Sequence, residues 1–367
     1  MSRLHQRSAA RCLFETFAST TRSYLHTGQP KRPNAPTRSA AGLPDNLPMR
    51  LLFLLLCAFS SMIHAQAISR SPMDLETASG VLHGSLVLPQ RQSPGPVALL
   101  IAGSGPTDRN GNNPAGRNDS LRRLAQSLAQ QGVATVRYDK RGIAASQPAA
   151  PDETTLSIEQ YARDAADWSR KLAQDPRFSS VFLIGHSEGA LVATLAANQA
   201  EIAGLITIAG TGRPLDQVIE EQLSTRLPAE LQDESRTILD SLKAGRLYPL
   251  VDPKLDVLFR PSVQPFLISW LRQDPAGAFA KVHAPALVIQ GDHDAQVGVE
   301  DAEALAKANP HATLKIIGGM NHVLRITPKD FEAQRASYND PGLPVARELV
   351  TAISTFVTQT DATSPSS

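Results

Sequence analysis

The sequence predicts an α/β fold with a mostly parallel central sheet and helices on both faces. Three observations carry that prediction. Short apolar runs that read as strands alternate with longer stretches of helical apolar spacing, the pattern of repeated strand–helix–strand units. Some of the runs, such as VALLIA at 97–102, are apolar throughout, as strands buried on both faces must be. The chain has 367 residues, 42% of them hydrophobic and 19% charged, which suits one large globular domain or one domain carrying an insertion.

The first part of the chain stands outside this pattern. Met49-Arg50 is followed by LLFLLLCAFSSMIHAQA, a positive start, an apolar run over Leu51–Phe59 and a small-residue end at Ala65 or Ala67. That is the anatomy of a signal peptide over 49–65, and the run is too short to span a bilayer as a helix. Leu56 precedes Cys57 where a bacterial lipobox has a small residue, so lipidation is not expected. Residues 1–48 are rich in Ser, Arg and Pro, with Glu15 and Asp45 as their acids. They read as a disordered or non-native upstream extension, with Met49 as the true start; an Arg-rich, acid-poor transit segment is the rival reading.

Removing this leader changes the chemistry of the chain. Cys12 and Cys57 both lie within it, so the mature chain from Gln66 has no disulfide and no thiol chemistry. The formal charge moves from +1 to −5, since 28 basic residues remain against 33 acidic ones. A mildly acidic exported protein, periplasmic or secreted, has no electrostatic reason to bind nucleic acid or an anionic membrane.

Along the rest of the chain the strands fall at Val81–Leu88, Val97–Ala102, Val133–Tyr138, Val181–Ile184, Leu205–Ala209, Ala286–Gln290 and Thr313–Ile317. Helices read at Leu121–Gln131, Ile158–Ala173, Glu188–Ala200 and Arg347–Phe356. From Arg213 to His283 no strand interrupts a series of helical patterns, such as Asp216–Arg226 and Ala229–Ala244 with Gly245 as the stop. The domain plan is therefore a core of 78–212 and 284–359, a helical cap at 213–283 inserted between two core strands, and a disordered tail at 360–367. A cap in that position commonly forms a lid over a site.

The stretch LIGHSEGA at 183–190 places Ser187 between a buried strand and an alanine-rich helix. A Gly-x-Ser-x-Gly match alone is weak, since a chain of this length holds roughly 0.1 by chance at average composition. Its context is that of a nucleophile elbow. A serine on so sharp a turn needs neighbours without a Cβ, which Gly185 and Gly189 supply. The helix that follows aims its unpaired N–H groups at the site, so the backbone N–H of Glu188 is an oxyanion donor. The Glu188 side chain is not needed for that, and His186 reads as a framing residue. A serine hydroxyl needs a base, itself oriented by an acid, in the order Ser, acid, His. LVIQGDHDAQV ends one late strand and offers Asp292, His293 and Asp294; LKIIGGMNHVL ends the last and offers His322.

With these residues the chain resembles the α/β-hydrolase superfamily over roughly Gly80 to Gln359, least so in the insertion. In that family the acid often sits in a Gly-x-x-Asp-x-x-Val turn, and Gly291-Asp-His-Asp294-Ala-Gln-Val297 selects Asp294, with Asp292 as the alternative. The family histidine often lies in Gly-x-x-His, which Gly319-Met-Asn-His322 matches. Where many members have His-Gly after the third strand, this chain has Ala102-Gly103, and GSGPTDRNGN resembles a group of bacterial esterase-like and serine aminopeptidase-like hydrolases. The resemblance makes Ser104 the second oxyanion donor, with Gly105 the runner-up. Asp108, Arg109 and Asn110 are expected to brace this loop, with polar substrate binding as their other reading, and Arg141 to tie loops together. His83 reads as structural, His283 and His311 as solvated.

No cofactor motif appears, because the glycine-rich loop lacks the Gly-Lys-Ser/Thr ending of a phosphate loop. Asp108–Asn112 has calcium-loop spacing but no glycine at its sixth position (Asn113) and no glutamate at its twelfth (Asp119), so no metal is expected. The expectation is an exported serine hydrolase that cleaves small-molecule carboxylic esters of small or medium acyl chains through an acyl-enzyme. A serine peptidase of aminopeptidase type, with Glu220-Glu221 holding an N-terminal amine, is the alternative. A non-catalytic binding member of the fold is the alternative from another class.

Overall fold

The structure, a computed structural model, describes residues 68–91, 94–224 and 226–363. The upstream extension at 1–48, the signal peptide at 49–65 and residues 364–367 lie outside the described residues.

One eight-stranded sheet runs in the order β1 (Ile68–Thr77), β2 (Gly80–Pro89), β4 (Ala134–Tyr138), β3 (Gly95–Ile101), β5 (Phe178–His186), β6 (Gly204–Ile208), β7 (Ala286–Gly291) and β8 (Thr313–Ile317). β2 pairs antiparallel with both neighbours, and every pair from β4 across to β8 is parallel. β1 lies ahead of residue 78, where the sequence places the start of the core. ISRSPMDLET has neither an apolar run nor an alternation, because this edge strand buries Leu75 and leaves Ser69 to Pro72 exposed.

Alternate residues of each strand serve opposite faces. Val97, Leu99 and Ile101 of β3 join one apolar cluster, and Ala98 and Leu100 join the other. The first face is covered by α2 (Ile158–Ala173), α3 (Glu188–Ala197) and α9 (Val299–Ala308); the second by α1 (Ser120–Gln130) and α11 (Arg347–Thr363). α2 starts where the Ser157 hydroxyl accepts the N–H of Gln160 at 3.1 Å, and it carries Arg170 and Lys171 beside its carbonyl end. α11 runs on to Thr363, into the segment expected as a disordered tail. Asp361 accepts hydrogen bonds from Ser179 (2.9 Å) and Ser180 (2.5 Å) at the start of β5, and this long-range anchor fastens the last turn.

Residues 213–283 hold α4 (Leu215–Ser224), α5 (Ala229–Lys243), α6 (Asp256–Phe259), α7 (Gln264–Leu271) and α8 (Pro275–Phe279). Ile238, Leu239, Leu242, Phe259 and Phe279 are buried in the same cluster as the first sheet face, so the insertion shares its core with the sheet. Its entry is pinned by the buried Asp301 of α9, which accepts the N–H groups of Gly212 and Arg213 at 3.0 Å each and pairs with the Arg213 guanidinium at 2.7 Å. Further along, Arg260 bonds Glu153 at 2.9 Å, and Gln273 bonds Glu159 at 2.8 Å. On the other side, Gln222 donates to the carbonyl of Gln296 at 2.8 Å.

Arg141, in the loop after β4, gathers a second set of segments. It bonds Asp164 of α2 at 3.0 and 2.7 Å, the carbonyl of Ala149 at 3.2 Å, and the hydroxyls of Thr77 and Ser79 at the β1–β2 turn. Both charged side chains are buried. Asp164→Ala removes one member and leaves the guanidinium uncompensated, so it is expected to lower stability by about 3–5 kcal/mol, read as a shift of the urea midpoint.

Candidate active site

The chain passes from β3 to β4 in one direction along the sheet, then returns across β3 to reach β5. Such a reversal opens a crevice at the carboxyl ends of the strands where it occurs. Ser187 stands at that point, directly after β5 and before α3, with φ 56° and ψ −123°. This left-handed conformation costs a non-glycine residue about 1–3 kcal/mol, so it persists only where the surroundings impose it. Its N–H donates to Ile208 at 2.9 Å, and its carbonyl accepts the N–H of Ala190 at 2.9 Å. A Cβ at position 185 would lie 2.1 Å from the carbonyl oxygen of Gly189, and one at 189 would lie 2.4 Å from that of Ile101. Both glycines are therefore steric necessities of the turn.

The loop after β3 runs over the serine: a Cβ built on Gly103 would fall 3.2 Å from that of Ser187. Among the described residues, the N–H groups of Ser104, Gly105 and Glu188 have no protein acceptor. The rest of the loop is tightly braced. Asp108 accepts the N–H of Asn110 (2.7 Å) and Asn112 (2.9 Å), the Arg109 N–H donates to Asp139 at 2.7 Å, and Arg137 donates to Asn110.

Asp294 and His322 come together from the loops after β7 and β8. His322 Nδ1 lies 2.8 Å from Asp294 Oδ2, and both side chains are nearly inaccessible. The other carboxylate oxygen accepts the N–H groups of Gln296 (2.8 Å) and Val297 (3.1 Å). Burial opposes the charge of Asp294, but the His322 ring and these donors outweigh it and hold the carboxyl below its usual range. Asp292 faces solvent and accepts the N–H of Gly319 at 2.6 Å, and His293 bonds the carbonyl of Thr327 at 2.7 Å, so each ties the two loops together.

Residues 98–334 match the model of the Alpha/beta hydrolase family. The chain belongs to the α/β-hydrolase family. It is 29% identical over 251 residues to "Esterase EstD" of Thermotoga maritima, an alignment that covers 66% of this chain and 58% of that protein. It thus spans little more than half the length of that relative. Among solved structures it resembles Est1E from Butyrivibrio proteoclasticus, with a TM-score of 0.53 and 18% identity over 79% of this chain and 99% of that one. It also resembles the α/β hydrolase GrgF from Penicillium sp. sh18, with a TM-score of 0.53 and 18% identity over 80% of this chain and 99% of that one.

Two supports of the site in this α/β hydrolase are absent from the sequence reading. Gln290, wholly buried at the end of β7, donates to Asp294 at 3.2 Å and to the carbonyl of Val297 at 2.9 Å. His186 frames the serine as expected, but its ring does more. His186 Nε2 lies 2.8 Å from the backbone carbonyl of His322, and the two rings pack at 4.8 Å between centroids. A bond to a carbonyl requires a proton on Nε2. The histidine inside Gly-His-Ser-Glu-Gly is the only local signal, and nothing in it names the partner 136 residues away.

Other candidates fall away from this cluster. His83 pairs with Asp74 at 3.1 Å on the outer strands, and His283 and His311 are exposed. Glu220 and Glu221 are exposed on α4, and Glu221 pairs with Arg213 at 2.8 Å. A surface concavity of about 610 Å³ lined by Arg70, His83, Arg109 and Arg137 touches none of Ser187, Asp294 and His322.

Burial, with the neighbouring His322 adding to it, pushes the His186 imidazole down from 6.5 to about 3. Its folded value thus lies below the unfolded one. The stability it contributes is complete above pH 6.5 and is lost as pH falls towards 3, because the unfolded chain takes up a proton that the folded chain refuses. Between about pH 6.5 and 4.5 this one group is expected to lower stability by about 2 kcal/mol. Urea melts of the protein and of His186→Asn across that range are expected to differ in slope by close to one proton.

Proposed function

We propose that this protein is a serine hydrolase that cleaves carboxylic esters of small or medium acyl chains, with Ser187 as nucleophile. The observation that carries the reading is the bond from His186, next to Ser187 in the chain, to the backbone of His322, which binds the His322–Asp294 pair to the serine turn. His322 takes the proton of the Ser187 hydroxyl as the oxygen attacks the ester carbonyl. Asp294 holds the imidazole by Nδ1 and stabilises its charge. The N–H groups of Glu188 and Ser104 receive the oxyanion, aided by the positive end of α3. His322 then protonates the leaving alcohol, and water activated by the same histidine releases the acyl group.

The esterase relative supports ester chemistry over amide chemistry. The aminopeptidase reading needs a free acidic pair beside the site, and Glu221 is already committed to Arg213. The insertion bears on acyl-chain choice, because α4 reaches the carbonyl of Gln296 within the turn that holds Asp294. The leader over 49–65 adds export to the proposal.

Turnover of p-nitrophenyl acetate or butyrate is expected in the wild-type protein and a loss on the order of 10⁴-fold or more in Ser187→Ala. Unchanged turnover in that variant would remove the assignment. Faster release from peptide nitroanilides than from nitrophenyl esters would favour the peptidase, and no turnover of either would favour a binding protein. Protein recovered from the exported fraction is expected to begin near Gln66 by N-terminal sequencing; a retained leader would contradict export.

A further inference from the structure

Lys140 lies beneath the candidate oxyanion hole and takes no part in the chemistry above. Its side chain is 1% exposed, as is that of Glu188. Its ammonium donates at 2.6 Å to the carbonyl of Gly103 and at 2.6 Å to a Glu188 carboxylate oxygen, and it sits 5.0 Å from the centroid of the Tyr161 ring. Those two acceptors belong to the Gly103–Ser104 peptide and to Glu188, the two places from which the proposed oxyanion donors come. The carbonyl of Gly103 and the N–H of Ser104 are the two ends of one peptide unit, and no peptide bond among the described residues is cis. In a trans peptide they point in opposite directions, so fixing the carbonyl on the ammonium fixes the N–H pointing away from it. A charge-assisted bond to the carbonyl also polarises the peptide and strengthens its N–H as a donor.

We propose that Lys140 is a positioning residue that sets both oxyanion donors, gripping the Gly103–Ser104 peptide by its carbonyl and the Glu188 residue by its carboxylate; the proposal rests on Ser187 being the nucleophile. Stability alone accounts poorly for this pair. Burying two ions carries a desolvation cost that an apolar pair of like size avoids, and the second Glu188 oxygen has no partner among the described residues. What the pair does is join two backbone segments, the loop after β3 and the first turn of α3, through a single nitrogen atom.

The test uses the full chain in two forms. Lys140→Met with Glu188→Leu replaces the ion pair by an apolar one, a change that often leaves stability intact. Lys140→Arg keeps the ion pair but moves the donor from the carbonyl of Gly103. Tm, kcat and KM on p-nitrophenyl butyrate, and the Ki of an alkyl boronic acid, are read for each. The boronic acid forms a tetrahedral adduct whose oxygen occupies the oxyanion position. Both variants are expected to stay folded with KM within about threefold, to lose roughly 10²-fold in kcat, and to bind the boronate more weakly by a similar factor. A folded variant with wild-type kcat and wild-type boronate affinity overturns the proposal. Failure of both to fold would make the pair a folding element and overturns it too. Failure of the underlying assignment shows elsewhere, as turnover that survives Ser187→Ala.

Discussion

The left-handed backbone at Ser187 is the constraint on which the rest of the site depends. A serine at φ 56° is unfavourable by itself, and four separate features hold it there. The N–H is taken by β6, the carbonyl by the first turn of α3, and Gly185 and Gly189 let the strand, the helix and the end of β3 close to distances that no side chain would permit. A sharp turn of this kind lifts the serine side chain out of the sheet and leaves the next N–H unpaired at a helix start. In the proposed mechanism, nucleophile and oxyanion donor are two consequences of one backbone geometry.

The partners of the serine are held by polar contacts that converge from outside the turn. His186 holds the backbone of His322, Gln290 and the N–H groups of Gln296 and Val297 hold Asp294, and Asp292 and His293 join the two loops that present them. On the side of the loop after β3, Lys140 bonds the carbonyl of Gly103 and the Glu188 carboxylate. The inserted helices share the apolar core of one sheet face and are fastened at Asp301, Glu153 and Glu159.

What was legible in the sequence follows from how local each requirement is. The elbow could be read because its steric demands act two residues either side of Ser187. Asp294 and His322 could be read because they lie in short turns after strands whose apolar runs are unmistakable. The alternating strands and helices gave the sheet and its two faces for the same reason. The edge strand β1 was invisible, since it buries too little to carry an apolar pattern. The last turn of α11 was hidden because its anchor, Asp361 on Ser179 and Ser180, joins residues more than 180 apart in the sequence. The partners of Lys140 and His186 share that difficulty: polar contacts between distant segments leave no period in the sequence.

The central claim is that Ser187 is the group that attacks. The most direct measurement is mass spectrometry of the protein after exposure to a fluorophosphonate, with the modified peptide sequenced. A single phosphonyl group on Ser187, blocked by prior incubation with substrate, is the predicted result. A protein that hydrolyses esters while Ser187 stays unmodified, or that carries the label on another residue, would contradict the account.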